Sequence, residues 1–160
     1  MENYYEKKRN PRTGNLPQGG GNRNGGSFQP KPSAEAKFSE LKYQQEWILN
    51  GANPELVNYA EEAGMFMAQN GLTNSKIRSI YGEIKRIQMG DFEKEKSSFY
   101  LLKPKVAYAL GRDEKNEGLK LFKKIFDKAS EAVSNQKTYL NFCNFIEAIL
   151  AYHKAYGGKD

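Results

Sequence analysis

The sequence predicts an all-α protein, a compact bundle of about five helices preceded by a disordered Gly/Pro-rich tail. Apolar residues after residue 53 recur every three or four positions, and no segment alternates apolar and polar residues as a strand would. Only one proline follows residue 54 in a chain of 160 residues. Glycines stand where the periodic segments stop, as they do at helix ends. The length fits one domain with a tail.

The first 35 residues differ in composition from the remainder. They contain six of the 15 glycines and four of the six prolines, with few large apolar side chains. Such a segment cannot bury enough surface to offset its ordering entropy, so we expect a disordered tail over 1–35 and a single folded domain over 36–160. Six cations against three anions give the tail a charge of +3. It could help to hold RNA, or be a solubilising tail without a binding role.

Start and stop signals divide the folded part into helices. Asn53 is a suitable N-cap, Pro54 fits the first helical position, and Gly71 fits the end of that helix. Thr73 or Asn74 can cap the next helix, which is expected to end at Gly90. Further predicted helices cover about 92–111, 114–134 and 138–157, with a short one at about 34–49.

Two of these helices have informative apolar patterns. The helix ending at Gly90 carries a single stripe of isoleucines, which predicts one buried face; they are Ile77, Ile80, Ile84 and Ile87. The last helix, 138–157, is apolar nearly all round, which predicts a place at the centre of the bundle.

The residues that most enzymes use are scarce. His153 is the only histidine and Cys143 the only cysteine, and both lie among apolar neighbours, as packed core residues do. Neither a multi-cysteine zinc site nor an intramolecular disulfide can form. We therefore expect no enzyme activity, no cofactor and no metal. The start MENYYEKKRN has no apolar core and no apolar run approaches about 18 residues, so we expect a cytoplasmic protein without a membrane partner.

Positive charge is concentrated in the middle of the chain. Residues 74–128 carry 14 cations and eight anions, whereas residues 36–73 carry two cations and five anions. Helical spacing places Arg78, Tyr81 and Lys85 in one row, with Arg86 further round. That row could follow a phosphate backbone, or its long cations could cover the apolar edge of their own helix.

Residues 101–112, LLKPKVAYALGR, place a proline and three cations in an apolar segment. Pro104 would start or kink a helix, which puts Lys103 at the break and Lys105 in the first turn after it. Lys105 and Arg112, about two turns apart, would then point to one side and could contact successive phosphates. Alternatively, Pro104 merely ends one helix and the lysines cap its carbonyls.

Three sequence motifs follow one another along the chain: LTNSKIRSIYGEIKRI (72–87), LLKPKVAYALGR (101–112) and LNFCNFIEAILAYHKAYGG (140–158). Together they resemble the small helical subunit of type III-A CRISPR effector complexes, the Csm small subunit. The similarity spans about 70–160, is weak over 36–69 and does not include the tail. The matching positions are Leu72, Thr73, Ser75, Ile77, Arg78, Tyr81, Leu102, Lys103, Pro104, Lys105, Ala107, Tyr108, Arg112, Phe145, Glu147, Ala148, Tyr152, His153 and the pair Gly157 and Gly158.

The resemblance implies a non-catalytic, all-helical subunit that acts in antiviral defence. Several copies would line up in a filament-like ribonucleoprotein. They would contact the sugar–phosphate backbones of guide RNA and target RNA, while base pairing between the two RNAs reads the sequence. The implied partners are the backbone and large subunits and neighbouring copies of the chain itself; those other subunits would perform the cleavage. The cations that we expect to bind RNA are Lys76, Arg78, Lys85, Arg86, Lys103, Lys105 and Arg112.

Two other functions remain compatible with the residues alone. One is a stand-alone helical protein that binds RNA or DNA without a larger assembly. The other is a protein–protein scaffold whose basic surplus serves acidic partners. Binding to nucleic acid would weaken steeply with salt, which distinguishes it from the scaffold.

Overall fold

The computed structural model describes residues 26–27 and 29–160, so most of the predicted tail lies outside the described residues. The chain divides into two units, Met1–Pro30 and Lys31–Asp160. The second unit is helical throughout its described elements, which confirms the predicted all-α class. The helices are α1 (Ala34–Leu41), α2 (Glu46–Leu49), α3 (Pro54–Gln69), α4 (Asn74–Met89), α5 (Phe92–Tyr100), α6 (Leu102–Gly111), α7 (Glu117–Ser130) and α8 (Gln136–Ala155).

The described residues thus form eight helices where the sequence predicted about five. The segment 34–49 is divided because α1 ends at Leu41 and the next residue, Lys42, has a left-handed φ of 51°. The segment 92–111 is divided at Leu101. A continuous helix there would press the ring of Pro104 against the carbonyl of Tyr100, four residues earlier. The interruption relieves that clash and leaves Pro104 in the first turn of α6, where no N–H donor is needed.

Side-chain caps fix the start of several helices. Asn53 accepts from the N–H of Leu56 at 2.9 Å, as predicted, and Pro54 occupies the first turn of α3. α4 follows Thr73, which makes no side-chain capping bond. The N–H of Asn74 instead donates to the carbonyl of Lys159 at 2.7 Å, so the end of the chain closes the start of α4.

The last helix lies at the centre of the bundle, as its composition predicted. α8 packs against α2, α3, α4, α5 and α7, most extensively against α3. The approach to α3 is close because Gly64 has no side chain where the backbone of α8 passes. Near the start of α8, the Tyr139 hydroxyl donates to the carbonyl of Ile84 at 2.7 Å and ties α8 to α4.

His153 and Cys143 are core residues, as predicted. His153 is fully buried, and its Nε2 lies 2.8 Å from the carbonyl oxygen of Leu72. Cys143 is buried on the same helix. Burial raises the pKa of its thiol to about 11, so the reactive thiolate is scarce at neutral pH.

The first helix is joined to α7 by the carboxylate of Glu117 and by an ion pair between Glu35 and Lys124. Glu117 Oε2 accepts from the N–H of Ala34 at 2.7 Å, and Glu117 Oε1 lies 2.7 Å from Lys120 Nζ. These bonds favour the ionised form, so Lys120 first and the Ala34 N–H second hold the pKa of Glu117 below its ordinary value of 4.5. Glu117 therefore ties the N-terminal end of α1 to the start of α7.

We expect Glu117→Gln to lower the free energy of unfolding by about 1 kcal/mol at neutral pH, because the uncharged amide has one acceptor oxygen and can accept from only one of the two donors. Because the pKa of Glu117 is lower in the folded than in the unfolded protein, the ionised carboxylate stabilises the fold at pH values above the unfolded-state pKa. This stabilisation is lost as the pH falls through the folded-state pKa. The difference between variant and wild type should therefore vanish at acidic pH, well below 4.5. Urea unfolding at several pH values measures it, with the exposed Glu114→Gln as control. A difference independent of pH would contradict this assignment.

No helix in the described part of the chain is long and apolar enough to cross a membrane.

Candidate nucleic-acid interface

A groove of about 1030 Å³ runs between α4 and α6 and is called the α4–α6 groove below. One wall is formed by α4, and the other by α6 and the residues that flank it. Its lining residues are Ser75, Lys76, Ser79, Ile80, Gly82, Glu83, Leu101, Pro104, Lys105, Tyr108, Ala109, Arg112 and Asp113.

The α6 wall presents cations and an aromatic ring from one helix face. Lys105, Tyr108 and Arg112 are three and four residues apart, so they lie above one another along α6. The Arg112 guanidinium carbon lies 5.9 Å from the centroid of the Tyr108 ring, within cation–π range. Leu102 and Val106, on another face of α6, are fully buried and anchor it. This confirms the prediction that Lys105 and Arg112 point to one side.

The α4 wall contributes hydroxyls and an ion pair. Ser75 and Ser79 are exposed. Lys76 Nζ lies 2.6 Å from Asp113 Oδ2, which closes one end of the groove. The bonds from Lys76 first, and then from Asn116, hold the pKa of Asp113 below its ordinary value. Asp113 is therefore ionised throughout the physiological range.

Glu83 is shared between two cations. Its carboxylate lies 3.2 Å from Arg86 and 3.7 Å from Lys105, and Arg86 also reaches Glu95 at 3.1 Å. The hydrogen bond from Arg86 is the largest cause of the lowered pKa of Glu83. Lys105 thus lies at the edge of a network in which Arg86 is the main partner of Glu83.

The groove can accept an anion although it contains two carboxylates. Its lining has three cations, Lys76, Lys105 and Arg112, against Glu83 and Asp113. Exposed ion pairs are worth only about 0–1 kcal/mol, so a phosphate can replace a carboxylate at Lys76 or Lys105 at small cost. Among the described residues, no carboxylate lies within ion-pair distance of Arg112, which is free to bind a phosphate bidentately.

The other four predicted cations do not line this groove. Arg78 lines a smaller pocket of about 390 Å³ between α4 and α8, together with Tyr81 and Glu147. Lys85 lies beside it, 3.2 Å from Glu147 and 5.9 Å from the Tyr81 ring centroid. The predicted row of Arg78, Tyr81 and Lys85 is present, but it faces α8 and is partly neutralised.

Arg86 and Lys103 have separate surroundings. Arg86 is bonded to Glu83 and Glu95 on the side of α4 that faces α5. Lys103 lies within the first turn of α6 and not at the break, and it lines a small cavity with Tyr100 and Glu131. The seven cations are therefore distributed over several faces, and only three share one groove.

Three residues of the groove, Tyr108, Glu83 and Asp113, were not predicted as parts of a site. Tyr108 had a detectable signal, because it lies between Lys105 and Arg112 at helical spacing. Glu83 and Asp113 had no such signal, because each pairs with a lysine of a different part of the chain. Asp113 pairs with Lys76 and Glu83 with Lys105. Within the described residues, no group of three His, Cys, Asp or Glu side chains could hold a metal ion.

A comparison with protein families identifies the chain. The model of the family described as Csm2 Type III-A matches residues 51–159, more than half of the chain. The chain belongs to the Csm2 family of type III-A CRISPR systems. The match includes α3 to α8 and therefore the whole α4–α6 groove. No curated protein and no solved structure gives a significant match.

Membership of the Csm2 family confirms the resemblance found in the three sequence motifs. It makes the chain a small subunit of a type III-A CRISPR effector complex, and the other subunits of that complex are its partners. The groove is thus a surface feature of a small subunit of a type III-A CRISPR effector complex.

Proposed function

We propose that this Csm2 subunit is a non-catalytic RNA-binding component of the complex, and that its α4–α6 groove contacts the backbone of guide or target RNA. The observation that carries the proposal is the placement of Lys105 and Arg112 on one wall of an open groove, where no carboxylate among the described residues pairs with Arg112. Seven residues of helix separate them by about 10.5 Å along α6, so each can take a different phosphate.

Backbone contacts suit a subunit that must accept any guide sequence. Phosphate contacts position nucleic acid without reading its bases. The groove offers lysine, arginine and serine side chains, which are typical donors to phosphate oxygens. Sequence recognition is then left to base pairing between guide and target, and cleavage to other subunits.

The same proposal extends to assembly. Several copies would pack along the filament, each contacting the next copy as well as the backbone and large subunits. The described surface carries isolated large apolar side chains that could serve such contacts, including Met89 at 84% exposure. A complex of this kind works on transcripts, so we place it in the cytoplasm.

Purification of the tagged chain from its native cells, followed by sequencing of the bound RNA, tests the proposal. We expect short RNAs with a common repeat-derived end, together with larger co-purifying proteins. Heterogeneous cellular RNA without partner proteins would instead indicate a stand-alone nucleic-acid-binding protein. Recovery of partner proteins without any RNA would indicate a scaffold and contradict the proposed RNA contact.

A further inference from the structure

Tyr108 is exposed in a position where its aromatic ring contributes little to the core. The residue is 68% exposed on the α6 wall of the α4–α6 groove. The adjoining Leu101 is 57% exposed and lines the same wall. An apolar strip formed by Leu101, Pro104 and Tyr108 therefore faces the groove directly beside its cations.

The order of side chains along this wall is alternately cationic and aromatic. Lys105 precedes Tyr108 by three residues and Arg112 follows it by four, all on one helix face. Proteins that bind single-stranded nucleic acid combine such cations with aromatic rings on which unpaired bases stack. In a site that binds only the backbone, the ring would serve only to position Arg112 through their cation–π contact.

We infer that Tyr108 is a stacking platform for an unpaired base of RNA, with Lys105 and Arg112 holding the phosphates on either side. The inference rests on the proposed RNA-binding function and specifies the form of RNA that the groove takes. A single strand exposes its bases, whereas a paired duplex keeps them stacked in the helix and presents mainly backbone to a protein. The groove should therefore discriminate between the two forms.

The charge of the groove wall favours RNA over an apolar protein surface as the occupant. A protein segment that buried Leu101 and Tyr108 would also have to desolvate Lys105 and Arg112, which is costly without acidic partners. An RNA strand supplies a phosphate for each cation and a base for the ring, so all three side chains are satisfied together.

The test compares the binding of full-length chain to a short uridine-rich single strand and to a fully paired RNA duplex. We expect Tyr108→Ala to weaken binding to the single strand by roughly 5- to 150-fold, the range found for loss of one base–aromatic stack. Binding to the duplex should change less than about twofold. Tyr108→Phe should retain single-strand affinity because the ring remains.

Tyr100→Ala is the matched control. Tyr100 is 63% exposed but lies outside the α4–α6 groove, beside Lys103 in another cavity, so its removal should leave both affinities unchanged. The salt dependence of RNA affinity shows whether Tyr108→Ala acts by removing the stacking ring or by displacing Arg112. Loss of stacking leaves the slope of affinity against salt unchanged, whereas loss of the Arg112 contact reduces it.

Equal losses on single strand and duplex, a reduced salt slope, or no loss at all for Tyr108→Ala would overturn the inference. If Tyr108→Ala is silent while Lys105→Ala with Arg112→Ala weakens binding, the backbone function stands and the stacking role is wrong. If the wild-type chain binds neither RNA in isolation or in its complex, the proposed function fails and the inference fails with it.

Discussion

Gly64→Ala is expected to lower the free energy of unfolding by about 3 kcal/mol, at the upper end of the usual cost of overpacking. A Cβ atom at Gly64 would lie 2.6 Å from the carbonyl oxygen of Ile149 and 2.7 Å from the backbone nitrogen of His153. These are backbone atoms of α8, which cannot rotate away as a side chain could. The packing of α3 on α8, the most extensive contact in the bundle, would have to open.

Gly82→Ala is the matched control, because it makes the same change at an exposed site in the middle of α4. A Cβ at Gly82 meets nothing within 4 Å. Alanine favours a helix interior over glycine by about 0.5–1 kcal/mol, so this variant should be more stable than wild type. Urea unfolding followed by circular dichroism measures both. Equal stability of the Gly64→Ala variant and wild type would show that α3 and α8 are not packed as described.

Lys105→Ala combined with Arg112→Ala should reduce affinity for single-stranded RNA about tenfold at physiological salt. Two exposed charge contacts at roughly 0.7 kcal/mol each account for that factor. The log–log slope of affinity against salt should fall by about 1.4, since each lost phosphate contact on a single strand contributes about 0.7. Fluorescence anisotropy over a series of salt concentrations measures both quantities.

The control variant removes the same charge elsewhere. Lys94 and Lys137 are exposed, lie outside the α4–α6 groove, and have no ion-pair partner among the described residues. Lys94→Ala with Lys137→Ala should change affinity less than the groove variant, although the net charge of the chain is the same in both. Equal effects would mean that RNA responds to overall charge and that the groove has no special part in binding. An unchanged salt slope in the groove variant would contradict the backbone contact itself.

The sequence by itself determined the helical class and much of the local structure. Asn53 and Pro54 fixed the start of α3 because their preferences act within a few residues and do not depend on the rest of the fold. The isoleucines of α4 are all buried, as their spacing predicted. The family motifs were likewise local, and the family match confirmed them.

The break at Leu101 shows where the local signals were incomplete. Pro104 was correctly interpreted as a helix start, but the segment before it was joined to the same helix in the prediction. The clash between a proline and the fourth residue before it places the break at Tyr100 and Leu101. That rule was available in the sequence, whereas the place of Lys103 inside α6 became clear only from the structure.

Only the tertiary structure decided which cations share a surface. Periodicity shows which face of a helix is polar, but it does not show which other helix that face meets. The packing of α4 against α6 brought Lys76 to Lys105 and Arg112, and the packing of α4 against α8 placed Lys85 beside Glu147 instead. These pairings follow from how buried apolar faces fit together over long sequence separations, which a local pattern does not record.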